Sequence, residues 1–65
     1  MCFNVHAFLE KDYKTIFRGT AVYIPRIGEE LVVGSCVYTV KNVRHIIREG
    51  RNLIPDIQLY LKQKI

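Results

Sequence analysis

Two histidines, two cysteines and six acidic residues are the side chains with the chemistry for catalysis or metal binding. The carboxylates fall at turns or at the ends of apolar runs, at Glu10, Asp12, Glu29, Glu30, Glu49 and Asp56. No Ser/His/Asp or Cys/His arrangement has a recognisable spacing, and neither Cys2 nor Cys36 has a partner at metal-site spacing. We therefore expect a protein that is not an enzyme and that holds no metal and no cofactor.

A second group of residues combines basic side chains with an aromatic ring. The set comprises Lys41, Arg44, Arg48, Tyr60, Lys62 and Lys64. If the two apolar runs that carry these residues are neighbouring strands, the set forms a basic face that can hold phosphates and stack a base. The alternative is an ordinary solvated face, which we favour because a net charge of +4 is modest for a nucleic-acid binder.

Three apolar residues fall on faces that strand alternation would turn outward, namely Phe8, Val32 and Ile46. A chain of 65 residues has no second layer to cover them. Either further bulges turn them into the core, or they form an interface with a second copy or with a protein partner. We favour the interface, since a hydrophobic content of 49% is generous for so short a chain.

The elements that would position these side chains are short β-strands around one hairpin. The apolar runs Leu31–Val33 and Cys36–Val40 are joined only by Gly34 and Ser35, and glycine accepts the positive φ of a tight turn. We expect the second strand of this hairpin to continue to about Glu49, which makes it the longest in the chain.

The apolar phase of that long strand shifts by one residue between Val40 and Val43. An extra residue at Lys41–Asn42 would restore the phase, so the pattern predicts a β-bulge there. With that bulge, Tyr38, Val40 and Val43 are expected to lie in the core.

Three further strands are predicted on either side of the hairpin. Met1–Glu10 and Ile57–Lys64 alternate between apolar and polar residues, which is typical of half-buried strands. Thr15–Ile24 is a less regular strand, in which Gly19 indicates a bulge or a close backbone approach. Because no window has a helical period, we predict one all-β domain over residues 1–65, a small and strongly bent SH3-like barrel of five strands.

A pattern in the middle third of the chain adds a resemblance to this interpretation. It consists of Ile24-Pro25-Arg26-Ile27-Gly28-Glu29, then Val33-Gly34, then Tyr38-Thr39-Val40-Lys41-Asn42-Val43. It resembles a pattern of small phage and mobile-element proteins that look like β-barrels and are mostly of unassigned function. The resemblance implies a viral or mobile-element origin and a cytoplasmic setting, and it implies no reaction.

The function expected from these observations is that of a non-enzymatic binding module in the cytoplasm. It would self-associate or dock on a protein partner, such as host machinery, and it has no apolar segment long enough to cross a membrane. The alternative is a protein that binds nucleic acid or a nucleotide phosphate through its basic face. With no secretory signal pattern, both thiols are expected to be free and reduced.

Overall fold

The computed structural model of the chain describes residues 2–47 and 56–64. Within these ranges the protein contains five β-strands and no helix. The strands are β1 (Phe3–Leu9), β2 (Thr15–Ala21), β3 (Glu30–Val33), β4 (Cys36–Ile46) and β5 (Asp56–Gln63). The predicted all-β class and the number of strands are therefore confirmed. Arg48 of the predicted basic face and Glu49, the predicted end of the long strand, lie outside the described residues.

The five strands form one sheet in the order β2-β1-β5-β4-β3. Neighbouring strands are antiparallel except β1 and β5, which run parallel in the middle of the sheet. The sheet curls strongly into a half-barrel, in agreement with a small SH3-like barrel. Within the described ranges, β2 and β3 are the two edge strands and do not pair with each other, so the half-barrel has an open side.

The hydrophobic core fills the concave, inner face of this sheet. Alternation in β1 and β5 turns every second side chain inward, as predicted, and β4 adds two residues after the hairpin. The core consists of Val5, Ala7, Leu9, Tyr38, Val40, Ile57, Leu59 and Leu61, each at most 7% exposed. Because β1, β5 and β4 are adjacent, their inward side chains meet without any second layer.

The predicted hairpin is present, with β3 and β4 joined by Gly34 and Ser35. Gly34 has a φ of 63°, which suits the first position of a two-residue hairpin turn. The segment before β3 continues its pairing with β4, since the Gly28 N–H donates to the Val40 carbonyl and the Val40 N–H donates to Glu29. This segment therefore seals one end of the core.

The bulge predicted at Lys41–Asn42 is confirmed. Val40 pairs with Leu61 and Asn42 pairs with Tyr60, so Lys41 is the extra residue of β4. The bulge returns Val43 to the inner face, where it packs against the core. β4 then ends at Ile46 rather than near Glu49, and Ile47 is 89% exposed.

The prediction for β2 is partly wrong. The strand ends at Ala21 instead of Ile24, and Gly19 pairs in register with Val5. The register shift lies earlier, where Ala7 faces Phe17 and Phe8 faces Thr15. The close approach at Gly19 comes from a side chain, because a Cβ there would lie 3.1 Å from Cζ of Phe17.

Candidate binding surfaces

A row of polar side chains crosses the convex, outer face of the sheet. Cross-strand partners share a face, and His6 of β1 is the partner of both Arg18 in β2 and Gln58 in β5. Gln58 in turn faces Arg44 in β4. These four residues form the polar row. Three of them, His6, Arg18 and Gln58, border a shallow depression of about 460 Å³ that also includes Asn4, Thr20, Ile46 and Asp56.

Hydrogen bonds hold the β1 and β2 end of the polar row. The Arg18 Nη2 atom lies 3.5 Å from His6 Nδ1, and His6 Nε2 lies 2.9 Å from Thr15 Oγ1. Because a guanidinium only donates, His6 Nδ1 accepts the hydrogen bond from Arg18. His6 Nε2 is then protonated and donates its N–H to the Thr15 hydroxyl. Beside the row, Asn4 of β1 donates to a carboxylate oxygen of Asp56 in β5 at 3.1 Å.

An aromatic cluster lies beside the polar row on the same face. Phe8 is its centre, with ring centroids 4.6 Å from Tyr60, 5.1 Å from His6 and 5.8 Å from Tyr13. Cζ of Arg44 lies 5.6 Å from the centroid of Tyr60, within the range of a cation–π contact. This cluster combines exposed aromatic surface with a cation.

The prediction that Phe8 is an outward residue in need of a partner is corrected by this cluster. Phe8 is only 5% exposed, because the rings of its own chain cover it. Tyr13 takes the exposed position instead, at 69%. Sequence alternation placed Phe8 on the right face but could not show that the turn after β1 folds Tyr13 back over it.

The predicted basic set is only partly brought together. β4 and β5 are neighbours, so Arg44, Tyr60 and Lys62 share the outer face, with Lys41 exposed at the bulge. Lys64, two residues after Lys62, forms an ion pair with Glu30 of β3. Arg48 lies outside the described residues. Sequence reasoning missed Arg18, His6 and Tyr13, because the register of β1 with β2 and β5 brings the first two to this face and the turn after β1 places Tyr13 there.

The open side of the half-barrel carries a groove of about 380 Å³. Its walls are almost entirely apolar; the edge strands and the segment between them form most of the walls, and inward residues of β1 and β5 complete the lining. The lining includes Ala7, Phe17, Tyr23, Pro25, Leu31 and Val33. Two large apolar side chains of the lining are strongly exposed, Tyr23 at 65% and Val32 at 71%. Val22 and Ile27, in the segment between β2 and β3, are 75% and 64% exposed.

Val32 and Ile46, the two other predicted interface residues, do not lie together. Val32 is the partner of Val37 near the hairpin turn, and Ile46 faces Asp56 at the far end of β4. Nine residues of strand separate Val37 from Ile46, a distance of roughly 30 Å. Val32 is strongly exposed whereas Ile46 is half-buried, so of these two residues only Val32 adds strongly exposed apolar surface, and Val32 lines the groove on the open side.

The chain was compared with protein-family models, curated proteins and solved structures, and none of them matches it. The resemblance to small phage proteins therefore stays a prediction. Among the described residues, no three potential metal-ligand side chains come together. The described part of the chain also contains no helix with the length and apolar character needed to cross a bilayer.

Proposed function

We propose that this protein is a non-enzymatic binding module that self-associates through its open side. The observation that carries the proposal is the coincidence of an apolar groove, two strand edges that no strand of residues 2–47 and 56–64 covers, and exposed large apolar side chains. Free edges offer unpaired N–H and C=O groups to another chain. Exposed apolar side chains clustered at such edges gain free energy when a partner removes them from water.

Two half-barrels related by a twofold axis can close each other. β2 and β3 run in opposite directions across the sheet, so β3 of one copy can pair antiparallel with β2 of the other at both seams. The outer face of β2 carries Arg18 and that of β3 carries Glu30, so each seam joins opposite charges. Pairing β2 with β2 and β3 with β3 would oppose like charges, which disfavours that arrangement.

The area that such a dimer would bury can be compared with the whole surface of the chain. A specific interface buries about 800 Å² on each partner. That area is about one sixth of the 4961 Å² surface of the chain, taking 800 Å² as typical. The groove, the two edges and the 22–27 segment together supply a contiguous surface for it. An extended strand of a different protein could use the same edges, and the experiment below separates the two occupants.

Sedimentation velocity over a range of protein concentrations tests the proposal. We expect a dimer, and we expect Tyr23→Asp and Val32→Asp to raise its dissociation constant about tenfold or more. Ile47→Asp is the matched control, because Ile47 is 89% exposed but does not line the groove. A dimer that only the control weakens would contradict the open-side interface, and a monomer at high concentration would reject self-association.

A charge exchange tests the proposed register. Arg18→Glu alone and Glu30→Arg alone should each weaken the dimer, because each places like charges across both seams. The double variant Arg18→Glu/Glu30→Arg should recover much of the loss. If the double variant is as weak as the two single changes combined, the β2–β3 pairing is wrong.

A further inference from the structure

The aromatic cluster on the outer face lies away from the open side and calls for a separate explanation. A cluster that served only stability would bury its rings, yet Tyr13 is 69% exposed. Tyr13 also has a φ of 60°, a left-handed conformation that a tyrosine rarely adopts. The Tyr13 N–H donates to the Leu9 carbonyl, and the Lys14 N–H donates to an Asp12 carboxylate oxygen, so the turn holds this conformation.

Two cations lie next to Tyr60. Arg44 stacks over Tyr60, and Lys62 follows Tyr60 by two residues on the same face of β5. Within residues 2–47 and 56–64, neither cation has a carboxylate partner, in contrast to Lys64 with Glu30. Two carboxylates limit the surface, with Asp56 at the start of β5 and Glu10 just beyond β1. The platform between them is short.

We propose that Tyr13, Tyr60, Arg44 and Lys62 form a platform that binds single-stranded nucleic acid. Bases stack on the two tyrosines, which Phe8 supports from beneath, and phosphates contact Arg44 and Lys62. Base stacking on aromatic rings flanked by cations is how sheet surfaces bind single strands without reading sequence. A duplex does not fit this chemistry, because its bases already stack on each other. Since the platform holds only two rings, it accommodates about two bases.

The test is the fluorescence anisotropy of a labelled twelve-residue oligothymidylate, with a blunt duplex of equal length as comparison and heparin as competitor. We expect the single strand to bind more tightly than the duplex. Affinity should fall with salt, and Arg44→Gln should reduce the log–log salt slope by about 0.7, the value for one lost phosphate contact. Lys64→Gln is the matched control, and it should change neither affinity nor slope.

The tyrosines supply the decisive variants. Tyr13→Asn should lower affinity roughly tenfold, the loss of one stacked base. Asparagine accepts the left-handed conformation, so this variant keeps the turn. Tyr13→Phe keeps the ring and should bind like the wild type. Binding must also survive in Tyr23→Asp, whose open side is altered, because the two surfaces are separate.

Three outcomes would overturn the platform. Absence of binding to the single strand at low salt is the first. The second is equal affinity for single strand and duplex with no effect of Tyr13→Asn, which would leave only a general attraction of polyanions. The third is an equal loss for Lys64→Gln and Arg44→Gln, which would place the contact outside the aromatic cluster.

Discussion

The middle of the sheet and its open side contain similar apolar residues in opposite surroundings. Ile57 and Leu61 of β5 are 1% and 0% exposed, whereas Val22 and Val32 near the edges are 75% and 71% exposed. Among the strands that the structure describes, β5 has a hydrogen-bonded strand on each side, but β2 and β3 each have only one. The difference shows that position in the sheet, rather than residue type, separates the residues that stabilise the fold from those available to a partner.

The largest contrast is expected between two valines of the same hairpin. Val40 is fully buried, and Val40→Ala should lower the free energy of unfolding by about 1–3 kcal/mol through lost burial and a residual cavity. Val32→Ala removes the same atoms from an exposed position and should change the free energy of unfolding by less than about 0.5 kcal/mol. Urea denaturation of both variants at low concentration, where dimers dissociate, measures the difference.

Equal losses in the two valine variants would contradict the assignment of these residues. If only Val32→Ala lowered the free energy of unfolding strongly, a second chain would cover the open side even at low protein concentration. Repeating the measurement at high protein concentration should then increase the Val32→Ala effect and leave the Val40→Ala effect unchanged, because only the former depends on assembly.

The sequence predicted the middle of the sheet better than its edges, for a physical reason. Residues 57–61 alternate without interruption because both neighbours constrain the strand, and alternation alone identifies their buried face. The bulge at Lys41–Asn42 was also predictable, since it leaves a phase error in the apolar pattern. β2 has an edge without such constraint, so its apolar residues at 22–24 looked like strand although the strand ends at Ala21.

The candidate surfaces were less predictable than the fold. Arg44 and Tyr60 could be paired once β4 and β5 were taken as neighbours. The parallel pairing of β1 with β5 joins residues about fifty positions apart, and no local pattern encodes it. Three features depend on the β1–β5 pairing or on turn geometry: the polar row, the rings that cover Phe8, and the separation of Val32 from Ile46.

A smaller difference in stability is expected between alanine variants of two glycines, one in the hairpin turn and one on the edge strand. Gly34→Ala places a Cβ in open space at a φ of 63°, so its cost is backbone strain alone, about 1–2 kcal/mol. Gly19→Ala has no such strain, and its Cβ meets only the end of the Phe17 ring, a side chain that is 40% exposed and can shift. In thermal unfolding, the melting temperature of Gly34→Ala should be clearly lower than that of Gly19→Ala. The reverse order would contradict the turn geometry.

The smallest effect concerns Tyr38, which lies where the core meets the open side. It belongs to the core, and its cross-strand partner is Leu31 in the wall of the groove. Burial raises the pKa of the Tyr38 hydroxyl above its ordinary value, and a hydrogen bond with the Cys36 side chain raises it further. The side chain therefore keeps its proton in the folded state at a pH where the unfolded chain has begun to lose it.

This pKa shift makes stability depend on alkaline pH in a defined direction. The contribution is fully present below the unfolded value, about pH 10, and is lost as the pH rises through the folded value. Tyr38→Phe removes that titration, so the stability of the variant relative to the wild type should increase above about pH 10 compared with the difference at pH 7. Urea midpoints measured from pH 7 to pH 11 give this difference directly. If the urea midpoints of the variant and the wild type differ by the same amount at every pH, the Tyr38 hydroxyl contacts water in the folded state, and the core does not extend to this hydroxyl.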